Sequence, residues 1–238
     1  MPDGQATLQT FPSPERLAQA LAERIAGQLD TAIAARGHAT LAVSGGTTPE
    51  RFFAALAAQP IDWSKVTVTL VDERFVPPAS PRSNEALVRR ILLQGKAAAA
   101  RFVPLFTDAP TPDAAALVAD TAIAALPLPF DALVLGMGSD GHTASFFPDA
   151  ANLDTLLSPQ NPARVMAVDT KAGGEPRLTL TLPTIAAARL VVLHIEGTAK
   201  KAVLDEALSP AGSDLPIRTV IDRAQFPVTI VWAPSHAA

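Results

Sequence analysis

The chain has 238 residues, of which 48% are hydrophobic and 18% charged, with a net charge of -4 and a pI near 5.5. That length and apolar content suit one α/β domain over residues 1–238 with a well-buried core. The acidic balance argues against a general nucleic-acid or anionic-membrane surface, which needs clustered lysine and arginine. Cysteine is absent, so disulfides and thiolate chemistry are excluded. Residues 1–5 lack a basic stretch followed by an apolar run, and the apolar runs elsewhere are short, so a cytoplasmic protein without a membrane span is expected.

Residues 14–35 predict an amphipathic helix. Ser13 fits its N-cap, Pro14 its first position and Gly37 its stop, and Leu17, Leu21, Ile25, Leu29 and Ile33 recur every four residues. A buried strand follows at 39–43, ending at Ser44-Gly45-Gly46-Thr47-Thr48-Pro49. Thr48 and Pro49 open a second helix that turns Phe52, Phe53 and Leu56 inward. A β-rich run at 66–71 leads into a proline-rich loop and then a helix from about Asn84, capped by Ser83. A short strand is expected at 102–106, a helix at 113–125 and a strand at 131–136. Strands follow at 164–168, 178–182 and 189–195, then a helix at 198–208 and a final strand at 227–233. Alternating strands and helices imply a doubly wound, Rossmann-like α/β fold, with a mostly parallel sheet covered by helices on both faces. The strands at 164–168 and 178–182 lack helical crossovers and could form a small subsidiary sheet.

Ligands of an open parallel sheet bind at the carboxyl ends of its strands. Four polar motifs fall at such ends. Ser44-Gly45-Gly46-Thr47 resembles an anion cradle, in which glycines admit a ligand to the backbone and the next helix directs its positive end at the ligand; a tight turn capped by threonine is the plainer alternative. No Gly-Lys-Ser/Thr follows, so a nucleotide P-loop is disfavoured. In Asp72-Glu73-Arg74, Arg74 could bind an anionic or carbonyl oxygen and Asp72 could bind hydroxyls or position Arg74, whereas Glu73 reads as part of a solvated turn. Asp140-Gly141-His142 places an imidazole, the usual general base near neutral pH, two residues from a carboxylate that can orient it. His38, His194 and His236 read as structural or peripheral, and no His or Cys pair has metal-ligand spacing, so neither a metal nor another cofactor is expected. Gly197-Thr198-Ala199-Lys200 sets a cation at a helix start, with Lys201 beside it read as solvated. Arg177 could reach the same anion or be an exposed charge at a strand start. Arg82 reads as a surface residue.

Taken together, the segments Val43–Pro49, Val71–Arg74, Ser83-Asn84, Leu135–Pro148, Arg177–Pro183 and Gly197–Lys200 resemble the 6-phosphogluconolactonase family from about residue 12 to 233. The Gly-x-Asp-Gly-His-Thr-Ala-Ser-Leu/Phe-Phe-Pro segment is highly specific. The resemblance implies cofactor-free hydrolysis of a phosphorylated sugar lactone in the oxidative pentose phosphate pathway, by a monomer or weak homo-oligomer. It implies His142 as base, Asp140 as its orienter and Arg74 on the developing charge or holding the ring, with Gly45, Gly46, Thr47, Lys200 and Arg177 on the phosphate; Ser44, Thr48 and Asp72 complete the expected site. Related glucosamine-6-phosphate deaminases share the fold but carry a glutamate five residues after the histidine, where this chain has Phe147. They also carry an aromatic residue where it has Arg74. A non-catalytic sugar-phosphate sensor is a second alternative, and no helix-turn-helix segment precedes the domain to support it.

Overall fold

The computed structural model describes residues 6–212 and 214–235; the N-terminal pentapeptide and His236 lie outside the described residues. Helix α1 (Pro14–Arg36) starts where Ser13 accepts a hydrogen bond from the Arg16 amide and stops at Gly37, in the left-handed conformation. Leu17, Leu21, Ile25 and Leu29 are fully buried along its inner face, each contributing about 1.5–3 kcal/mol. Helix α1 packs on α2 (Glu50–Ala57) and against the central sheet.

That sheet has seven parallel strands in the order β1 (Ala6–Thr10), β10 (Val228–Ala233), β9 (Val191–Glu196), β6 (Ala132–Leu135), β2 (Ala39–Val43), β3 (Val66–Leu70) and β5 (Arg101–Val103). Every residue of β2 and β6 is buried, as expected of strands covered on both faces. The chain winds outward from β2 to β3 and β5, then returns to lay β6 on the opposite side of β2. The direction of winding therefore reverses between β2 and β6, which opens a crevice at their carboxyl ends. The remaining helices are α3 (Asn84–Ile91), α4 (Pro112–Ala124), α5 (Leu153–Leu156), α6 (Leu182–Ala186), α7 (Thr198–Ala207) and α8 (Pro216–Arg223).

A second, antiparallel sheet comprises β4 (Asp72–Arg74), β8 (Arg177–Leu180) and β7 (Val165–Val168). It is the subsidiary sheet anticipated from the sequence, with α4 packed on it, but it gains β4, which had been read as a loop. The strand expected at 178–182 lies at 177–180, because Leu182-Pro183 opens α6 instead. Arg177 is thus inside the strand and buried, which removes the exposed strand-start alternative. The strand expected at 102–106 covers 101–103, ahead of Pro104, which has no amide hydrogen to donate to a ladder. Besides the short helices α5 and α6, two further elements lie outside the sequence expectations. Strand β1 is only half-buried and lacks a period-two pattern, so little marks it locally. Helix α8 did carry a signal, with Pro216 in its first turn and Ile217, Val220 and Ile221 spaced to share one buried face.

Candidate active site

The four strand-end motifs meet. Residues Ser44 to Thr48 follow β2, Asp72 and Arg74 follow β3, His142 follows β6 and Lys200 follows β9. With Arg177 they line one cleft of about 360 Å³ at the reversal between β2 and β6. Arg82 is exposed and pairs with Glu175 at 2.8 Å, and Lys201 bonds Asp205 on its own helix; neither lines this cleft.

The loop after β6 is closed by its own backbone, through Gly138 N–H to the His142 carbonyl at 2.9 Å and Gly141 N–H to the Gly138 carbonyl at 3.2 Å. Asp140 Oδ1 lies 2.5 Å from His142 Nδ1 and also accepts the His142 amide at 3.2 Å. A carboxylate only accepts, so Nδ1 carries the proton and Nε2 keeps its lone pair. The imidazole lies directly over Gly138, where a Cβ would stand 2.2 Å from the ring, so any larger residue would displace the imidazole. The ring centroid of Phe147 is 4.2 Å from that of His142, and the Arg177 guanidinium carbon lies 5.5 Å from the same phenyl ring. Asp140 itself stands behind the imidazole rather than in the cleft wall.

Across the cleft, the Ser44 amide donates to the Val134 carbonyl at 3.0 Å and Ser44 Oγ accepts from the Gly136 amide at 3.3 Å, which ties the loop after β2 to β6. The amides of Gly45, Gly46, Thr47 and Thr48 donate to no other group among the described residues. Helix α2 begins only at Glu50, with Pro49 in the cap position and no threonine side-chain cap. The capped-turn alternative therefore fails, and four free amides at a helix start remain, an arrangement suited to an anion.

Arg74 and Arg177 are direct cross-strand partners between β4 and β8. Like charges so placed repel, and Glu175 Oε1, 3.6 Å from Arg74 Nε, offsets the repulsion. Burial pushes the Arg177 guanidinium down from its ordinary value, with Asp72 opposing. Its Nη2 donates to the Gly173 carbonyl at 2.7 Å, while its buried Nε has no partner among the described residues. Burial also lowers Lys200, with Glu196 opposing. Asp72 accepts from Ser145 Oγ at 2.7 Å. The cleft thus has the His142 imidazole on one wall and Arg74, Arg177 and Lys200, with the unmet donor of Arg177, on the other.

Two assignments change in three dimensions. Glu73 is fully buried rather than solvated; burial pushes its carboxyl up, while four hydrogen bonds pull against that shift. Asn84, quoted in the sequence motif without a role, lines the cleft. His194 is buried, faces Phe52 edge-on and bonds Glu196 at 3.1 Å, so it fits its structural reading although it touches the cleft wall.

A doubly wound sheet with an anion cradle and an imidazole–carboxylate pair facing each other at its reversal point defines an α/β protein built around a small anionic ligand. More particularly, the chain belongs to the family of glucosamine-6-phosphate isomerases and 6-phosphogluconolactonases, whose model matches residues 12–232. It is 56% identical to the 6-phosphogluconolactonase of Mesorhizobium japonicum over 94% of both chains, and 51% identical to that of Rhizobium meliloti over 96% of this chain and 99% of the relative. The crystal structure of a 6-phosphogluconolactonase from Shewanella baltica superposes with a TM-score of 0.92 at 41% identity, covering 96% of this chain and 97% of that one.

Proposed function

We propose that the chain is a 6-phosphogluconolactonase, hydrolysing 6-phospho-D-glucono-1,5-lactone to 6-phosphogluconate in the cytoplasm, in the oxidative pentose phosphate pathway. The observation that carries this reading is the His142–Asp140 pair, with His142 lining the same cleft as the free amides of the loop after β2. The phosphate occupies the free amides of Gly45, Gly46 and Thr47, with Lys200 and Arg177 supplying charge. Ser44 braces the cradle and Thr48 adds a hydroxyl at its edge. Water attacks the lactone carbonyl as His142 Nε2 takes its proton. Asp140 stabilises the imidazolium so formed, and Arg74 stabilises charge on the carbonyl oxygen. Collapse breaks the bond between the carbonyl carbon and the ring oxygen, which leaves as a hydroxyl with the proton returned by His142. Asp72 holds sugar hydroxyls. One positioned base supplies roughly 10²–10⁴-fold, which suits a substrate that already hydrolyses slowly in water.

The deaminase alternative loses ground at Phe147, which is buried against the His142 ring where a proton-relaying glutamate would be needed. The direct test is a coupled assay on freshly generated 6-phosphogluconolactone. Turnover no faster than the spontaneous reaction would sink the proposal.

A further inference from the structure

We infer that Asn84 is a positioning residue that fixes Arg74, the cation on the carbonyl oxygen, relative to the phosphate-binding Gly45–Thr47 loop, and that the buried carboxylate of Glu73 holds Asn84 in place; the inference rests on reading the cleft as a phosphorylated-lactone site. Asn84 touches two of the segments that build the cleft, β4 and the loop after β2. Its Nδ2 donates to the Asp72 carbonyl at 2.8 Å, and its Oδ1 accepts from Arg74 Nη1 at 3.2 Å. The same oxygen fills the space beside Gly45, where a Cβ would stand 1.9 Å from it. Gly45 is therefore glycine because Asn84 occupies the place of its side chain.

A neutral amide suits this position. It orients the Arg74 guanidinium as an acceptor without adding a further negative charge beside it. A carboxylate in the same place would neutralise that charge and repel the phosphate on the adjacent Gly45–Thr47 loop.

Glu73 explains why Asn84 stays there. Its Oε1 accepts from the amides of Arg74 at 2.7 Å and Asn84 at 2.8 Å, and its Oε2 accepts from Ser83 Oγ at 2.9 Å and the Glu85 amide at 2.8 Å. One carboxylate thus grips both ends of the proline-rich loop 75–83 and caps the positive end of α3, which begins at Asn84. All four partners belong to segments that carry Arg74 or Asn84 into the cleft.

The experiment compares wild type, Asn84→Ala, the isosteric Asn84→Asp and the double variant Gly45→Ala/Asn84→Ala. Each is titrated calorimetrically with inorganic phosphate and 6-phosphogluconate, and assayed on phosphorylated and unphosphorylated gluconolactone. Asn84→Ala should weaken 6-phosphogluconate binding roughly 10-fold or more and raise KM more than it lowers kcat. Hydrolysis of the unphosphorylated lactone, which has no phosphate to place but still uses Arg74, should fall only as far as kcat does. Asn84→Asp, which keeps the volume, should weaken inorganic phosphate at least as much. The double variant exchanges the filled volume between the two positions, so it should regain thermal stability without regaining phosphate affinity. Wild-type phosphate affinity in Asn84→Asp, or recovery of that affinity in the double variant, would overturn the inference by reducing Asn84 to a space-filler. Absence of wild-type lactone turnover would instead strike the functional reading, while the inorganic phosphate titrations would still measure what Asn84 does.

Discussion

The imidazole of His142 and the phenyl ring of Phe147 lie with centroids 4.2 Å apart and planes 33° from parallel. Phe147 is nearly fully buried, so it forms one wall against which the imidazole rests, while Asp140 bonds the ring at Nδ1. Aromatic pairs of this kind contribute about 0.5–1.5 kcal/mol beyond their buried area. Phe147→Leu keeps an apolar side chain but removes the stack. Its kcat should fall up to about 10-fold with little change in KM. An unchanged kcat in a folded variant would show that the phenyl ring does not hold the base. Wild type should release no ammonia from glucosamine 6-phosphate, and deamination at a rate comparable to lactone hydrolysis would overturn the lactonase assignment.

The base itself is the simplest target. His142→Ala should lower kcat by roughly 10²–10⁴ with a smaller effect on KM. Asp140→Asn should also lower kcat, because an amide can donate to Nδ1 and so favour the tautomer with its proton on Nε2, where no lone pair remains to accept from water. Near wild-type turnover in folded His142→Ala would remove His142 from the role.

Lys200 provides the pH dependence. Burial lowers its ammonium below the ordinary lysine value, with Glu196 opposing, so it sheds its proton earlier than a free lysine as pH rises. Affinity for 6-phosphogluconate should therefore weaken on the alkaline side before the usual lysine range is reached. Lys200→Arg should carry that affinity to higher pH. The stability linkage has the opposite sign: a base whose folded value is depressed favours the fold at high pH, and that contribution is lost as pH falls through the depressed value. Lys200→Met should accordingly bind product more weakly while being no less stable at neutral pH. Identical alkaline limbs in wild type and Lys200→Met, followed by calorimetry, would contradict the assignment.

Arg177 has a buried Nε without a partner among the described residues. If that donor meets the phosphate, Arg177→Ala should cost about 10–100-fold in kcat/KM on the phosphorylated lactone. It should barely alter hydrolysis of unphosphorylated gluconolactone. Equal losses on both substrates would move Arg177 to the reacting carbonyl and shift the phosphate toward Lys200 and Arg74.

Exhaustive chelation should leave activity intact, because a base and an anion site suffice for the reaction. Among the described residues no group of three or more His, Asp or Glu side chains is gathered for a metal. Activity lost with chelator and restored by Zn²⁺ or Mg²⁺ would refute the metal-free mechanism.

What the amino-acid sequence determined by itself was local or periodic. The caps at Ser13 and Ser83 each bond an amide three residues ahead, so each helix start is written within one turn. The apolar runs of β2, β3 and β6 need no partner to declare burial, and the glycine-rich segments around Ser44 and His142 mark loops wherever they occur. Membership of one strand-end rim also followed from the alternation of strands and helices. The tertiary structure decided what depends on pairing between distant segments. Strand β1 exists because β10, more than two hundred residues away, supplies its ladder. Glu73 is a charged residue after an apolar strand, and nothing within its neighbourhood distinguishes a solvated carboxylate from one enclosed by Ser83, Asn84 and Glu85. Arg177 faces Arg74 only because β8 folds back antiparallel to β4. A hydrogen bond or an ion pair acts over a few ångströms whatever the separation along the chain, so the placement of these side chains was settled only when the sheets assembled.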